Sequence, residues 1–367
     1  MKAILLLLLL STCRTSAQSR EQNMSNMCAL SRNVYLKTDC LRKAESYYDG
    51  GDRELLTIKR TLEEWHHWLE RENVPEYPRP EFHVSHLKHD TERGALCWIR
   101  TDGGFKDPHR GFRDPHKWSL VWWSLAVRPE EIQAAEMMLL KKTYPNQTKE
   151  QAAKQQRFLW RFATSPAFSE KSRYGSYRFT FPLQDVLTAY SKQFCFGATP
   201  IMRVFRTCLF KQEVQYSVLV HSPANRELFS DFPLLPGNDP NAVCAYRDGR
   251  LIWRSEAMCE THRYKLIHRP DTSQMHTLKL FRQPQFYLWD NVAMALHVEN
   301  GQVVLKFDSD QLRENLKFCE PDRPTITPNF YFDHFENAKI LVNQLWPDSD
   351  TVLEEEPSLE LSFKEED

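Results

Sequence analysis

Glycine is scarce in this chain, 11 of 367 residues, and no G-x-G-x-x-G or G-x-x-x-x-G-K-[ST] occurs. Rossmann turns and P-loops need such glycines to bring backbone N–H groups against phosphate, so both readings are poorly supported. No C-x-x-C is present, which removes the zinc-ribbon and thioredoxin-type motifs, and no G-x-S-x-G elbow supports nucleophilic hydrolysis. There are no internal repeats. Beyond the first ten residues no stretch approaches the ~20 apolar residues of a membrane span. Neither sign of charge dominates: 48 Lys and Arg stand against 49 Asp and Glu. That balance argues against a nucleic-acid partner.

What is present first is a leader. Lys2, the apolar run Ala3 to Leu10 and the small pair Ser16-Ala17 before Gln18 form a cleavable signal-peptide pattern. Eight apolar residues make about 12 Å of helix, too short for a span, so residues 1–17 predict a secreted, extracellular protein. Removing Lys2 and Arg14 leaves 46 basic against 49 acidic side chains. Of nine cysteines Cys13 departs with the leader. The even remainder (Cys28, Cys40, Cys97, Cys195, Cys208, Cys244, Cys259 and Cys319) predicts disulfides whose pairing stays open. Asn23 and Asn146 fit the N-glycan acceptor pattern. Asn146 is the better candidate, since Pro145 marks a loop and Thr148 caps a following helix.

The pattern predicts an α+β fold, a mixed sheet core with packed helices, preceded by a helical N-terminal segment. Residues 18–80 hold Cys28, Cys40, a helix from Asp52 and a connector with Pro75, Pro78 and Pro80. Residues 81–346 form the main domain. Strands and turns are expected around Leu96–Ile99 and Leu120–Trp123, with a long loop from Asp102 to Lys117. Helices are expected from Pro129 to about Lys142, after Thr148 and after Pro182, and strands over Tyr174–Phe181, Ile201–Phe210 and Val214–Val220. Asp248-Gly249 and Asn300-Gly301 mark hairpins. Helices over Gln311–Phe318 and His334–Trp346, the latter capped by Asp333, close the domain. From Asp348 nine acidic residues and one Lys predict a disordered, solvated tail over residues 347–367.

His83, His86 and His89 raise the question of a metal. Strand alternation turns His86 away from the other two, and helical steps of three spread them too far, so no metal is expected.

Three separated segments read together give a different pattern. The first is Leu87-Lys88-His89-Asp90-Thr91, followed by Gly103-Gly104-Phe105; the second is Tyr174-Gly175-Ser176-Tyr177 with Tyr190-Ser191 behind it. The third is the run Ala245 to Glu256 across Asp248-Gly249. Over residues 86–266 the chain resembles poly(ADP-ribose)-polymerase-like ADP-ribosyltransferases, with Asp90 standing where the family has Gly. The resemblance implies NAD as substrate, held at its ribose by His89 and Thr91 and at its nicotinamide by Tyr177, backed by Tyr190 and Ser191. It also implies a catalytic glutamate, Glu256 or, in another register, Glu260, which stabilises charge as the glycosidic bond breaks. The acceptor, protein or small molecule, stays open. The alternative is a secreted, non-catalytic binding protein, for which Trp118, Trp122, Trp123 and the Phe330-Tyr331-Phe332 run offer an aromatic surface.

Overall fold

The computed structural model describes residues 78–107, 118–163, 165–172, 174–210, 213–240, 242–254, 256–259, 264–279, 285–288, 291–300, 303–321 and 332–356. The leader, Asn23, Cys28, Cys40, the helix expected from Asp52, Glu260, Phe330 and Tyr331 lie outside them. Among the described residues no helix is long and apolar enough to cross a membrane.

The chain is α+β around a seven-stranded mixed sheet. Counting Phe82–Val84 as β1 and Gly104–Phe105 as β3, its central strands are β2 (His86–Thr91), β4 (Leu120–Ala126) and β5 (Tyr177–Pro182). On one side β5 pairs with the short strand Leu316–Phe318. On the other, β4 pairs with Asn291–His297, which runs parallel to Glu213–His221, and Ile201–Phe210 forms the edge. Within this sheet, among the described residues, only that pairing of strands is parallel; the others are antiparallel.

Alternation explains the burial. Leu87, Trp123, Phe179 and Phe181 point to one face and are essentially inaccessible. Phe105 plugs their centre, with ring centroids 4.7 Å from Trp123, 5.2 Å from Phe179 and 5.7 Å from Phe307. The other face carries a smaller cluster of Trp118, Leu120, Trp122, Phe205, Phe229 and Phe232. Trp123 is therefore core and Trp118 and Trp122 are half-buried packing, so these tryptophans do not form the open aromatic surface that the binding alternative used.

Several expected elements are present. The helix Pro129–Thr143 starts with Pro at its first turn, and Leu183–Phe194 follows directly on Pro182. Cys244–Arg247 and Arg250–Trp253 form the hairpin around Asp248-Gly249, both central residues having positive φ (52° and 75°), as the tight turn requires. Asn146 is exposed in the turn between Pro129–Thr143 and Lys149–Ala153, and Thr148 and Gln151 make the reciprocal cap. The second helix is only five residues long; Phe158, Leu159 and Phe162 are buried by a 3₁₀ turn instead.

Four expectations need correction. Leu96–Ile99 lies in a helix, Arg93–Asp102, capped by the Glu92 carboxylate and stopped by left-handed Gly103. No hairpin joins the strands flanking Asn300-Gly301 among the described residues: Leu305–Lys306 pairs with Gly104–Phe105, and Asn291–His297 pairs with its two sheet neighbours. The helix expected over Gln311–Phe318 is Ser309–Glu314 followed by the strand Leu316–Phe318. The acidic tail is bound as far as residue 356: Leu353 is buried, Phe318 donates its N–H to Glu354 O, and Glu356 donates to Phe318 O.

Candidate functional site

The six residues of β2, HLKHDT, present Leu87, His89 and Thr91 to one face and His86, Lys88 and Asp90 to the other. Register with β5 places His89 opposite Phe179, Asp90 opposite Arg178 and Thr91 opposite Tyr177. Opposed residues share a face. The fold thus brings His89, Thr91 and Tyr177 together on one side of two neighbouring strands.

Two of these three side chains, His89 and Tyr177, are already engaged. The His89 Nδ1 lies 2.8 Å from the Trp122 carbonyl, so it carries the proton and leaves Nε2 as an acceptor. Burial against Phe105 and Trp123 holds this imidazole neutral, below the ordinary histidine range, against the opposing pull of the Trp122 carbonyl and Asp90. Tyr177 is 0 % exposed and donates its phenol to Asp333 Oδ2 at 2.5 Å. Burial, aided by that carboxylate, pushes its pKa well up. Asp333 is also bound by Arg93 Nε at 3.1 Å, and its N–H donates to Ser176 Oγ. It was expected to cap the last helix; His334 stands at the cap instead.

Tyr190 is fully buried and donates to the His297 carbonyl at 2.6 Å. Ser191 Oγ donates to Ala198 O, outside the group formed by His89, Thr91 and Tyr177. Glu256 begins a strand, Glu256–Cys259, that pairs with Gln285–Leu288 outside the seven-stranded sheet; its side chain lies outside the described residues. Gly175 has a plain structural reason. Its φ is 146°, and a Cβ there would meet Thr91 O at 2.1 Å, so the backbone can approach β2 only as glycine.

The opposite face holds a polar constellation that the sequence reading missed. Arg178, 2 % exposed, forks onto Asp90 (Nε–Oδ1 2.7 Å, Nη2–Oδ2 2.9 Å) and donates to the carbonyls of Ser169, Glu170 and Lys171. Lys88, equally buried, donates to Pro166 O at 2.5 Å and Ser169 O at 2.9 Å. Two cations from neighbouring strands therefore hold the segment 166–171 over the sheet. Burial and the adjacent guanidinium push Lys88 down to about 7. Burial alone would raise Asp90, but Arg178, Lys88 and the Ser172 hydroxyl hold it below the usual carboxylate range. Asp90, which differs from the glycine of the resembled family, is thus the counter-ion of Arg178. The period-two placement of Lys88, Asp90 and Arg178 was the available signal, though alternation alone reads as a solvated face.

His83 pairs with Glu81, His86 with Ser85 and His89 with Trp122 O, so the three histidines occupy separate settings. Cys195 and Cys319 are buried thiols without a sulfur partner. Comparison with protein-family models, with curated proteins and with solved structures finds no match for this chain.

Proposed function

We propose that this is an exported binding protein in which the strand pair resembling an NAD site serves as structure. The observation that carries the reading is Tyr177: its ring is enclosed and its phenol is committed to Asp333. Nicotinamide stacking needs an open aromatic face, and opening this one would break the bond from the phenol to Asp333. The Arg178–Asp90 pair behind it gives the strands a second reason to stay as they are.

The other reading, an NAD-dependent ADP-ribosyltransferase acting through Glu256, is favoured by one specific observation. His89, Thr91 and Tyr177 share a face, and His89 Nε2 is a neutral acceptor suited to a ribose hydroxyl. Calorimetric titration of NAD into the secreted protein, together with assay of nicotinamide release, separates the two. The binding-protein reading expects neither heat nor release. Release that is lost in Glu256→Gln, with NAD binding retained, would establish the transferase.

A further inference from the structure

We propose that the surface formed by the turn after Pro129–Thr143 and the hairpin Tyr264–Lys279 is a docking face for a sulfated polysaccharide. Residues 141–157 carry five exposed cations, Lys141, Lys142, Lys149, Lys154 and Arg157, and one acid, Glu150. The hairpin adds exposed Lys265 and Arg269, which alternation places on the face away from buried Leu266 and Met275, against Asp271. Seven cations against two acids give these residues a formal charge of +5, in a chain whose total is −1. None of the seven is in a salt bridge among the described residues.

The two segments are fixed to one another. Tyr144 Oη donates to Gln274 O, Gln147 Nε2 to Ser273 O and Gln155 Nε2 to Met275 O, and the Met275 N–H returns a bond to Gln155 Oε1. Leu266 and Met275 are buried beneath. The cations therefore sit on two segments held to one another, and the six-residue strand that carries Lys265 and Arg269 spans about 20 Å. Lys141 and Lys142 also complement the helix dipole, which accounts for two of the seven and leaves the hairpin cations unexplained.

Charge complementarity makes the partner a polyanion. The aromatic chemistry of the face selects among polyanions. Single-stranded nucleic acid is held by stacking on open rings. Here the Arg161 guanidinium lies 4.0 Å from the Trp160 ring centroid and 4.8 Å from that of Tyr264, covering a face of each. Lysine-rich, ring-poor surface suits a flexible chain of sulfates better than bases, and the leader at residues 1–17 directs the protein to where such chains occur. The inference extends the binding reading by naming a partner class. Its test is separable, because NAD turnover has no bearing on retention by a polyanion.

The probe is heparin. The full chain, secreted and then enzymatically freed of any glycan on Asn146, which shares the turn with Lys142 and Lys149, is loaded in parallel on immobilised heparin and on a sulfopropyl matrix, and heparin is expected to release it at the higher salt. Lys142→Glu with Lys149→Glu, and separately Lys265→Glu with Arg269→Glu, should each weaken heparin binding about tenfold, with the urea midpoint unchanged. Asp271→Lys should strengthen it, an effect that misfolding cannot produce. Elution from heparin no later than from sulfopropyl, or reversal variants that bind like the parent, would overturn the proposal. So would tighter binding to single-stranded DNA or to phosphatidylserine vesicles.

Discussion

The two faces of the β2–β5 strand pair make opposite use of polar side chains. On one, His89 sits among aromatic rings and donates to the Trp122 carbonyl, Tyr177 donates to Asp333, and Thr91 lies buried opposite Tyr177. On the other, Lys88, Asp90 and Arg178 form a buried ionic network holding a covering segment by its carbonyl groups. The first face is where the resemblance directs a search for chemistry; the second is where the strongest electrostatics lie. Residues that resemble a site thus need not be the ones in the most perturbed environment, and a perturbed environment is not by itself a site.

The largest expected effect comes from breaking the ionic face. Arg178→Met leaves Asp90 charged and buried and removes the donors to the carbonyls of Glu170 and Lys171, while Ser169 O keeps Lys88, costing ~3–5 kcal/mol. Urea unfolding measures it, and Arg178→Met with Asp90→Leu should recover much of the loss. If the single variant costs under ~1 kcal/mol, Asp90 is solvated and the network is not buried as described.

Next in size is an acid effect from the far end of the sheet. His221 accepts from Arg203 Nε at 2.9 Å and its Nδ1 lies 2.8 Å from Ser222 O, a geometry that only the neutral ring satisfies. Arg203, Arg226 and His297 face it, with Glu227 near Arg203. Burial, then repulsion from His221, pushes His297 down to about 4. A depressed folded pKa on a base means stability present above the unfolded value and lost as pH falls. The loss therefore runs from about pH 6.5 to about pH 4 and amounts to at most ~3 kcal/mol for His297. His297→Gln should flatten that limb of the stability curve; an unchanged slope contradicts the assignment. Lys88 carries the same sign at alkaline pH, stability rising from about 7 toward 10.5.

Smallest is the aromatic face. Tyr177→Phe removes one bond to a half-solvated carboxylate and should cost ~1–2 kcal/mol. A ligand-binding tyrosine with an open ring would give no stability change on losing its hydroxyl.

Legibility from sequence followed locality. Asp248-Gly249 and Pro182 declare a hairpin and a helix start through backbone geometry alone, and both are found. The helix Arg93–Asp102 was misread because Leu96-Cys97-Trp98-Ile99 looks like a buried strand. Its cap is Glu92, outside the usual Ser, Thr, Asp and Asn set. Asn300-Gly301 failed since Leu305 finds its partner in Phe105, two hundred residues earlier in the chain. Asp333 had the right chemistry for a cap but was claimed by Tyr177 and Arg93. Within the candidate site, alternation alone places His89 and Thr91 on one face of their strand; that Tyr177 joins them rests on the pairing of Thr91 with Tyr177 across the sheet. The enclosure of Tyr177 and the burial of Lys88, Asp90 and Arg178 depend on segments 332–334 and 165–172 folding over the sheet, which no local pattern announces.

The enclosure of Tyr177 is the central claim, and its neighbour supplies the control. Tyr174, three residues earlier, is 54 % exposed, against 0 % for Tyr177. Brief treatment of the native protein with tetranitromethane, followed by fragment sequencing of the peptide that carries both, compares them directly. Nitration of Tyr174 alone, unchanged by NAD, is the predicted result. Nitration of Tyr177 at a similar rate, with protection by NAD, would contradict the account and restore that face as a nucleotide site.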